Sequence, residues 1–366
     1  MGGCRRSTAL ILRNKDLDLR RATTSAVAQR FLLGLSPILF LLISQLRTTV
    51  WFMNTSSLSK TWTDYPLHYL EEDSPAIIRV FSPSKRNETV AICTIVKNET
   101  LYLDEWVDFH VALGFSKIFI YDNSPEPDEE MKSWLNSRRK DLREYVKIIH
   151  FPEKSKGTQA NCYDRCIKFD AKNFSFVGLF DVDEFLVLKK HDNVIDFLGD
   201  HCNKECGEIY IHWQVMGLSN QTSYKPLPVT LRNVHTGGAG MLIKPIIRPD
   251  YASDELNWLH GVSLKKGLVI DTRGRKIKKK RKKRGNDDKP SDVALFYHYR
   301  FKSMEELLQK TCIRGDVIGK NQCKKKGYLT DARGDTFDDS AWRQLKRMVP
   351  KYIQFENDLN NKSMHL

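Results

Sequence analysis

The hydrophobic pattern of this chain changes character twice. Phe31 to Leu46 (FLLGLSPILFLLISQL) runs sixteen residues without a charge. Arg47 interrupts it, and Val50, Trp51 and Phe52 follow. A membrane-spanning helix needs about 20 apolar residues. The run therefore predicts one transmembrane helix over 31–53, with Arg47 snorkelling to the interface and Trp51 and Phe52 as an aromatic belt. Residues 54–88 are polar and broken by Pro66, Pro75 and Pro83, which predicts a stem.

From residue 89, short β-branched runs alternate with helical spacing. Val90 to Val96 (VAICTIV) reads as a buried strand. Leu101 to Leu113 has apolar residues at 103, 106, 107, 110 and 113, counting His110 as amphipathic, which is a helical period. Lys117 to Tyr121 is a second strand, ended by Asp122-Asn123-Ser124-Pro125. Pro127 to Arg143 predicts a polar helix opened by proline and acids. Val146 to Ile149 is a third strand and Gly157 to Ala171 a helix. Phe176 to Phe180 (FVGLF) is a fourth strand that runs straight into Asp181. This rhythm predicts β-α-β units in an α/β fold with a mostly parallel central sheet. Ligands bind such sheets at the carboxyl ends of the strands, where Asp122, Asp181 and the turn Lys97, Asn98, Glu99 fall. Glu208 to Val215, Gly240 to Ile247 and Ala294 to Phe301 are later strand candidates. Ser303 opens a helix with a capping box closed by Glu306.

Charge refines the outline. The net charge of +14 is concentrated at two places. Arg273 to Arg284 (RGRKIKKKRKKR) holds ten Lys or Arg and no acid, and residues 1–30 hold seven against Asp16 and Asp18. The rest is close to neutral, so no basic face is spread over the fold as nucleic-acid binding requires. A basic leader before one span, with the bulk of the chain after it, suits a signal anchor with the large domain in the lumen. A cleaved signal peptide and an organelle transit peptide are the competing readings. Six sequons, at Asn54, Asn87, Asn98, Asn173, Asn220 and Asn361, permit a secretory location. Of eight cysteines, Cys93 reads as a core residue, and the pairs 202/206 and 312/323 as short-loop disulfides.

The chemistry centres on Phe180 to Phe185 (FDVDEF). An apolar strand delivers two carboxylates spaced i and i+2. In an extended segment these point the same way, so Asp181 and Asp183 can converge on Mg2+ or Mn2+. Such an ion bridges a pyrophosphate and neutralises it as a leaving group. A solvated acidic turn is the plain alternative.

The run CTIVKNETLYLDEWVDFHVALGFSKIFIYDNSP, then FVGLFDVDEFL, then ALFYHYRFKSMEELLQKTCIRG, resembles glycosyltransferase family 92 over about residues 89–320. The resemblance implies a GT-A glycosyltransferase fold with a Rossmann-like nucleotide-binding half. It also implies inverting transfer of galactose from UDP-galactose. By position, Asp181 and Asp183 fall on the family's metal motif. His298 falls on its His-Tyr element, as a third ligand or as a histidine packed between Tyr297 and Tyr299. Lys97, Asn98 and Glu99 match the loop where uridine is expected, although Asn98 is also placed to cap a helix. Asp122 can accept from ribose or base, or only form its turn. Gln159 and Asp164 can orient donor or metal, or simply line a polar helix face. Trp213, Gly217, Lys244 to Pro249 and His260-Gly261 match segments on the acceptor side. Inversion needs a general base, for which Asp254 and Glu255 are candidates beside a catalytic Asp183.

The expectation is a metal-dependent inverting hexosyltransferase using Mn2+ or Mg2+. It would move a hexose from a UDP-sugar to a glycan acceptor, anchored as a single-pass type II protein of the Golgi membrane, with no nucleic-acid partner. The plan is a cytoplasmic tail (1–30), the anchor (31–53), a stem (54–88), a catalytic domain (89–350) with a basic insertion at 271–292, and a C-terminal tail (351–366). A nucleotide-sugar phosphohydrolase or nucleotidyltransferase could use the same aspartates. A non-enzymatic basic nucleic-acid-binding protein would centre instead on the 273–284 run.

Overall fold

β1 (Val90–Val96) forms from a continuous apolar, β-branched run, and six of its seven residues are buried. It lies within a ten-stranded sheet of order β3 (Val146–His150), β2 (Lys117–Asp122), β1, β4 (Phe176–Leu179), β7 (His235–Ile247), β6 (Cys206–Met216), β9 (Ala294–His298), β5 (Glu184–Leu188), with β10 (Thr336–Phe337) added to β7 and β8 (Leu268–Asp271) to β6. The computed structural model describes residues 86–155, 157–253, 259–277, 287–314 and 334–363. The chain divides into two compact units, Met1–Asp64 and Tyr65–Leu366, and every described residue belongs to the second. The expected anchor at 31–53 and most of the stem lie outside the described residues. Among the described residues no helix is long and apolar enough to cross a membrane.

One side of the sheet follows the β-α-β expectation. β1 pairs in parallel with β2 (Lys117–Asp122) and β4 (Phe176–Leu179), and β2 with β3 (Val146–His150). The helix Leu103–Ala112 makes the first crossover and is buried throughout. Its His110 is a core residue. The Nδ1–H donates to Trp106 O at 2.8 Å, Nε2 accepts from Leu186 N at 3.4 Å, and burial pushes the imidazole down to about 3.

The other side departs from it. β7 (His235–Ile247) runs antiparallel to both β4 and β6 (Cys206–Met216). β9 (Ala294–His298) is antiparallel to β5 (Glu184–Leu188) yet parallel to β6. β8 (Leu268–Asp271) is parallel to β6, and β10 (Thr336–Phe337) antiparallel to β7. The architecture is thus mixed α/β, with five parallel and four antiparallel pairings among the described strands. After β4 a tight turn at Asp181 to Asp183 takes the place of a helical crossover, and the chain passes to β5 at the far end of the strand order instead of to a parallel neighbour of β4.

Two local expectations change. Pro127 to Arg143 is not one helix. It comprises a helix Glu129–Ser133, a wide turn Trp134–Arg138 and a 3-10 turn Lys140–Leu142. Arg139 is drawn inward, its guanidinium 2.9 Å from Asp104 and 2.5 Å from Asp108, and that buried pairing takes the backbone out of the α register. Cys93 is not a lone core residue, because it forms a disulfide with Cys166 across 73 positions. Cys202–Cys206 is a disulfide, as the spacing suggested. The 312/323 pair lies outside the residues whose side chains are described. The segment set down as a tail carries the helix Ile353–Ser363. Just before it, Lys351 and Tyr352 reach Asp108 at 2.7 and 2.9 Å.

Gly178 in β4 sets up the site. A Cβ there would collide with the Phe180 ring. That ring belongs to a buried aromatic group with His110, Phe115 and Phe296. Packing Phe180 inward leaves the next three residues as the turn at the strand's end.

Candidate active site

The turn closes on itself. Asp181 N donates to Glu184 Oε2 at 2.8 Å, and Glu184 N donates to Asp181 O at 3.1 Å. Asp181 and Asp183 sit in a turn instead of an extended run, so their carboxylates meet different partners.

Asp181 is held from two directions. The helix Thr158–Arg165 supplies Gln159, whose Nε2 donates to Asp181 Oδ1 at 2.5 Å, and Tyr163, whose hydroxyl donates to the same oxygen at 3.0 Å. Lys244 on β7 places its ammonium 2.9 Å from Asp181 Oδ2 and 3.4 Å from Glu184 Oε2. The Lys244 side chain is 1% exposed. Burial pushes the Asp181 carboxyl up, but Lys244 more than offsets it and holds the group below its ordinary value. Burial acts the opposite way on Lys244, and Asp181 with Glu184 keeps it charged. Glu184 is pushed well up by burial, which Lys244 only partly offsets.

Asp183 faces the C-terminal side of the sheet. Its Oδ1 is 3.3 Å from His298 Nε2, and Lys310 donates to its Oδ2 at 2.7 Å. The Lys310 ammonium is also 3.7 Å from Glu99. Burial again opposes ionisation, but Lys310 and His298 hold Asp183 well below the carboxylate range. Burial lowers His298 despite Asp183 beside it, which favours neutral imidazole. His298 reaches the turn by register, opposite Glu184 in the β5–β9 pair. Its Nδ1 is buried without a hydrogen-bond partner.

The structure thus brings together Glu99, Gln159, Asp181, Asp183 and His298 from the sequence-derived candidates. Asn98 is exposed, adopts φ 52° and does not cap the following turn, whose N-cap is Glu99. The Asp122 oxygens are used by its own turn, accepting from Ser124 N at 2.9 Å and Asp128 N at 2.7 Å. Asp164 pairs with Lys168 one helical turn on, at 2.8 Å, on the polar face. Lys97 is half-buried beside Asn98. Asp254 and Glu255 lie outside the described residues. Trp213 is buried against the rings of His298 and His260, at centroid distances of 4.4 and 5.2 Å.

Residue reasoning missed Lys310 and Tyr163, and set Lys244 on the acceptor side. Lys244 carried a signal: a lone charge between Ile243 and Ile246 in an apolar strand must find a buried partner.

The model of glycosyltransferase family 92 matches residues 86–346. The chain belongs to glycosyltransferase family 92. A family 92 protein of Oryza sativa subsp. japonica is 27% identical over 187 residues, covering 50% of this chain and 31% of that protein. One from Ricinus communis is 28% identical over 212 residues, covering 53% and 36%. The aligned part therefore spans about a third of the length of these family 92 relatives. Among solved structures, the mannosyltransferase Ktr4p of S. cerevisiae is 11% identical, covering 44% of this chain and 49% of that one, with a TM-score of 0.25. That score carries no argument.

The donor set suits a hard divalent cation. Asp183 supplies carboxylate oxygen, and a largely neutral His298 supplies nitrogen beside it. Lys310 already places a positive charge on Asp183. Among the described residues no group of three His, Cys, Asp or Glu side chains is placed to hold a metal ion. A carboxylate and an imidazole would leave most positions of such an ion to other oxygens, as with Mg2+ held by one or two carboxylates and a substrate phosphate.

Proposed function

We propose that this chain is a metal-dependent inverting glycosyltransferase that moves a hexose from a UDP-sugar to a glycan acceptor, through a GT-A-type site at the Asp181–Asp183 turn. The observation that carries the reading is that turn: two adjacent carboxylates at the end of β4, each balanced by its own cationic side chain. Asp183 and His298 would hold Mn2+ or Mg2+, with Asp181 fixed beside them by Gln159, Tyr163 and Lys244. The ion would supply charge neutralisation at the diphosphate leaving group. Glu99, at the end of the β1 loop, lies on the donor side of the same site.

The resemblance to family members that use UDP-galactose supports galactose as the hexose. Two disulfides support an oxidising lumen, in line with a Golgi protein anchored through 31–53. Incubation of the full chain with a panel of UDP-sugars, Mn2+ and varied glycans tests the chemistry. Transfer from one UDP-hexose is expected, lost on chelation. Hydrolysis of the donor with no sugar on any acceptor would favour a phosphohydrolase and overturn the reading. Carbonate extraction tests the anchor: a freely soluble chain without glycans would rule it out.

A further inference from the structure

The two ammonium groups at the turn are not equivalent. Lys244 is sealed in, 1% exposed, and shared between Asp181 and Glu184. The Lys310 side chain is 17% exposed and lies between Asp183 at 2.7 Å and Glu99 at 3.7 Å. The second carboxylate gives Lys310 another resting place, and its four-methylene stem lets the ammonium move a few ångströms without backbone rearrangement.

Charge gives that movement a purpose. Asp183 is 4% exposed, and a buried carboxylate without a counter-charge is costly. Lys310 supplies the counter-charge on Oδ2, while His298 faces Oδ1. A divalent cation held by Asp183 and His298 would sit on the same carboxylate as the Lys310 ammonium, and the two positive charges repel at that distance. A diphosphate arriving with the cation offers the displaced ammonium new anionic oxygens within the same small volume.

We propose that Lys310 is a built-in counter-cation: it neutralises Asp183 in the absence of donor, and moves to the diphosphate of the nucleotide sugar when a divalent cation takes its place. Lys310 thereby opposes binding of the cation alone and favours binding of cation and nucleotide together. This inference rests on the metal reading of the site. It assigns Lys310 a diphosphate-binding role and makes the order of binding a property of one side chain.

The test is direct Mn2+ and UDP binding to the purified full chain, by calorimetry, for wild type, Lys310→Met, Lys310→Arg and Asp183→Asn. Methionine keeps the stem and removes the charge at a partly exposed position; a thermal melt checks folding. A lysine that occupies the site about nine-tenths of the time weakens the apparent affinity of a competing ion about tenfold. Lys310→Met should therefore bind Mn2+ alone about tenfold more tightly than wild type, yet bind UDP in saturating Mn2+ about tenfold more weakly. Lys310→Arg should stay near wild type in both. Unchanged or weaker Mn2+ binding by Lys310→Met, or unchanged UDP binding, overturns the proposal. If wild type binds Mn2+ in a manner abolished by Asp183→Asn, the metal reading stands even when the Lys310 arm fails. If neither wild type nor Lys310→Met shows Asp183-dependent binding, both fall together.

Discussion

Asp181 and Asp183 are two residues apart, yet their surroundings are built on different plans. Around Asp181 everything is fixed: a helix supplies Gln159 and Tyr163, a strand supplies Lys244, and Glu184 closes the turn. Around Asp183 the partners are His298 at the end of β9 and Lys310 in the turns Gln309–Arg314, with only Lys310 reaching partly to solvent. The contrast separates a fixed side from an available one by partners and not by exposure, since the Asp181 side chain is 31% exposed and that of Asp183 4%: Asp181 is held by fixed partners, Asp183 by a counter-charge that can move. A site that must release and rebind a charged ligand gains from both. A rigid wall limits misalignment, and an exchangeable counter-charge avoids an unpaired acid between turnovers.

The largest expected effect is on transfer itself. Asp183→Asn and Asp181→Asn should each reduce activity at least about a hundredfold, because metal-assisted charge stabilisation is worth several kcal/mol. The comparison predicts that they differ in the fold. Asp183→Asn lets Lys310 turn toward solvent or Glu99, so the melting temperature should hold. Asp181→Asn leaves a sealed Lys244 with Glu184 as its remaining carboxylate within reach, and should melt lower. Parallel activity assays and thermal melts check both. Equal melting behaviour would break the distinction between the two sides.

Next in size is the direct exchange of cations. Lys244→Met leaves the fully buried Glu184 and the partly exposed Asp181 without their shared counter-charge, which should cost about 3 kcal/mol. Lys310→Met leaves the buried Asp183 with His298 and the charge of Lys302, and because Lys310 itself is partly exposed it should cost less than Lys244→Met, about 1–2 kcal/mol. Denaturant melts of the two variants measure the difference. A Lys310→Met as destabilising as Lys244→Met would mean that Lys310 is structural.

Much of this geometry was legible before the structure, and the limits follow from range. β1, β2, β3 and β4 were visible because a buried parallel strand is a short continuous apolar run, and the Asp181–Asp183 motif because such a run ended at it. The helix Leu103–Ala112 showed in the spacing of its apolar positions. What depended on distant partners was hidden. Nothing local to Cys93 distinguishes a packed thiol from half of a disulfide closed 73 residues away. Arg139 reads as one more charge on a polar helix until Asp104 and Asp108 are seen beneath it. Asp122 shows the reverse: the plain reading of it as a turn residue was also available from sequence, and its oxygens are occupied there. Lys310 offered no signal, because a lysine in a polar helical segment is ordinarily solvated, and Asp183 lies 127 positions away.

The smallest effect sharpens the rigid side, through its disulfide. Cys93–Cys166 joins β1 to the turn that continues the helix carrying Gln159 and Tyr163, whereas Cys202–Cys206 closes only a local loop. Chain entropy scales with the length of the closed loop, giving about 4 kcal/mol for the long bridge and about 2 kcal/mol for the short one. Replacing Cys93 and Cys166 by serine should therefore destabilise the chain by about 2 kcal/mol more than replacing Cys202 and Cys206, as read from denaturant melts. The functional outcome is the more telling one. If the helix truly positions Asp181, the Cys93/Cys166 double variant should lose transfer at temperatures where it is still folded, with Mn2+ binding at Asp183 retained. The Cys202/Cys206 variant should keep both. Loss of Mn2+ binding together with transfer in the first variant would show that the two carboxylates are mechanically coupled, and the division between a fixed side and an available side would have to be abandoned.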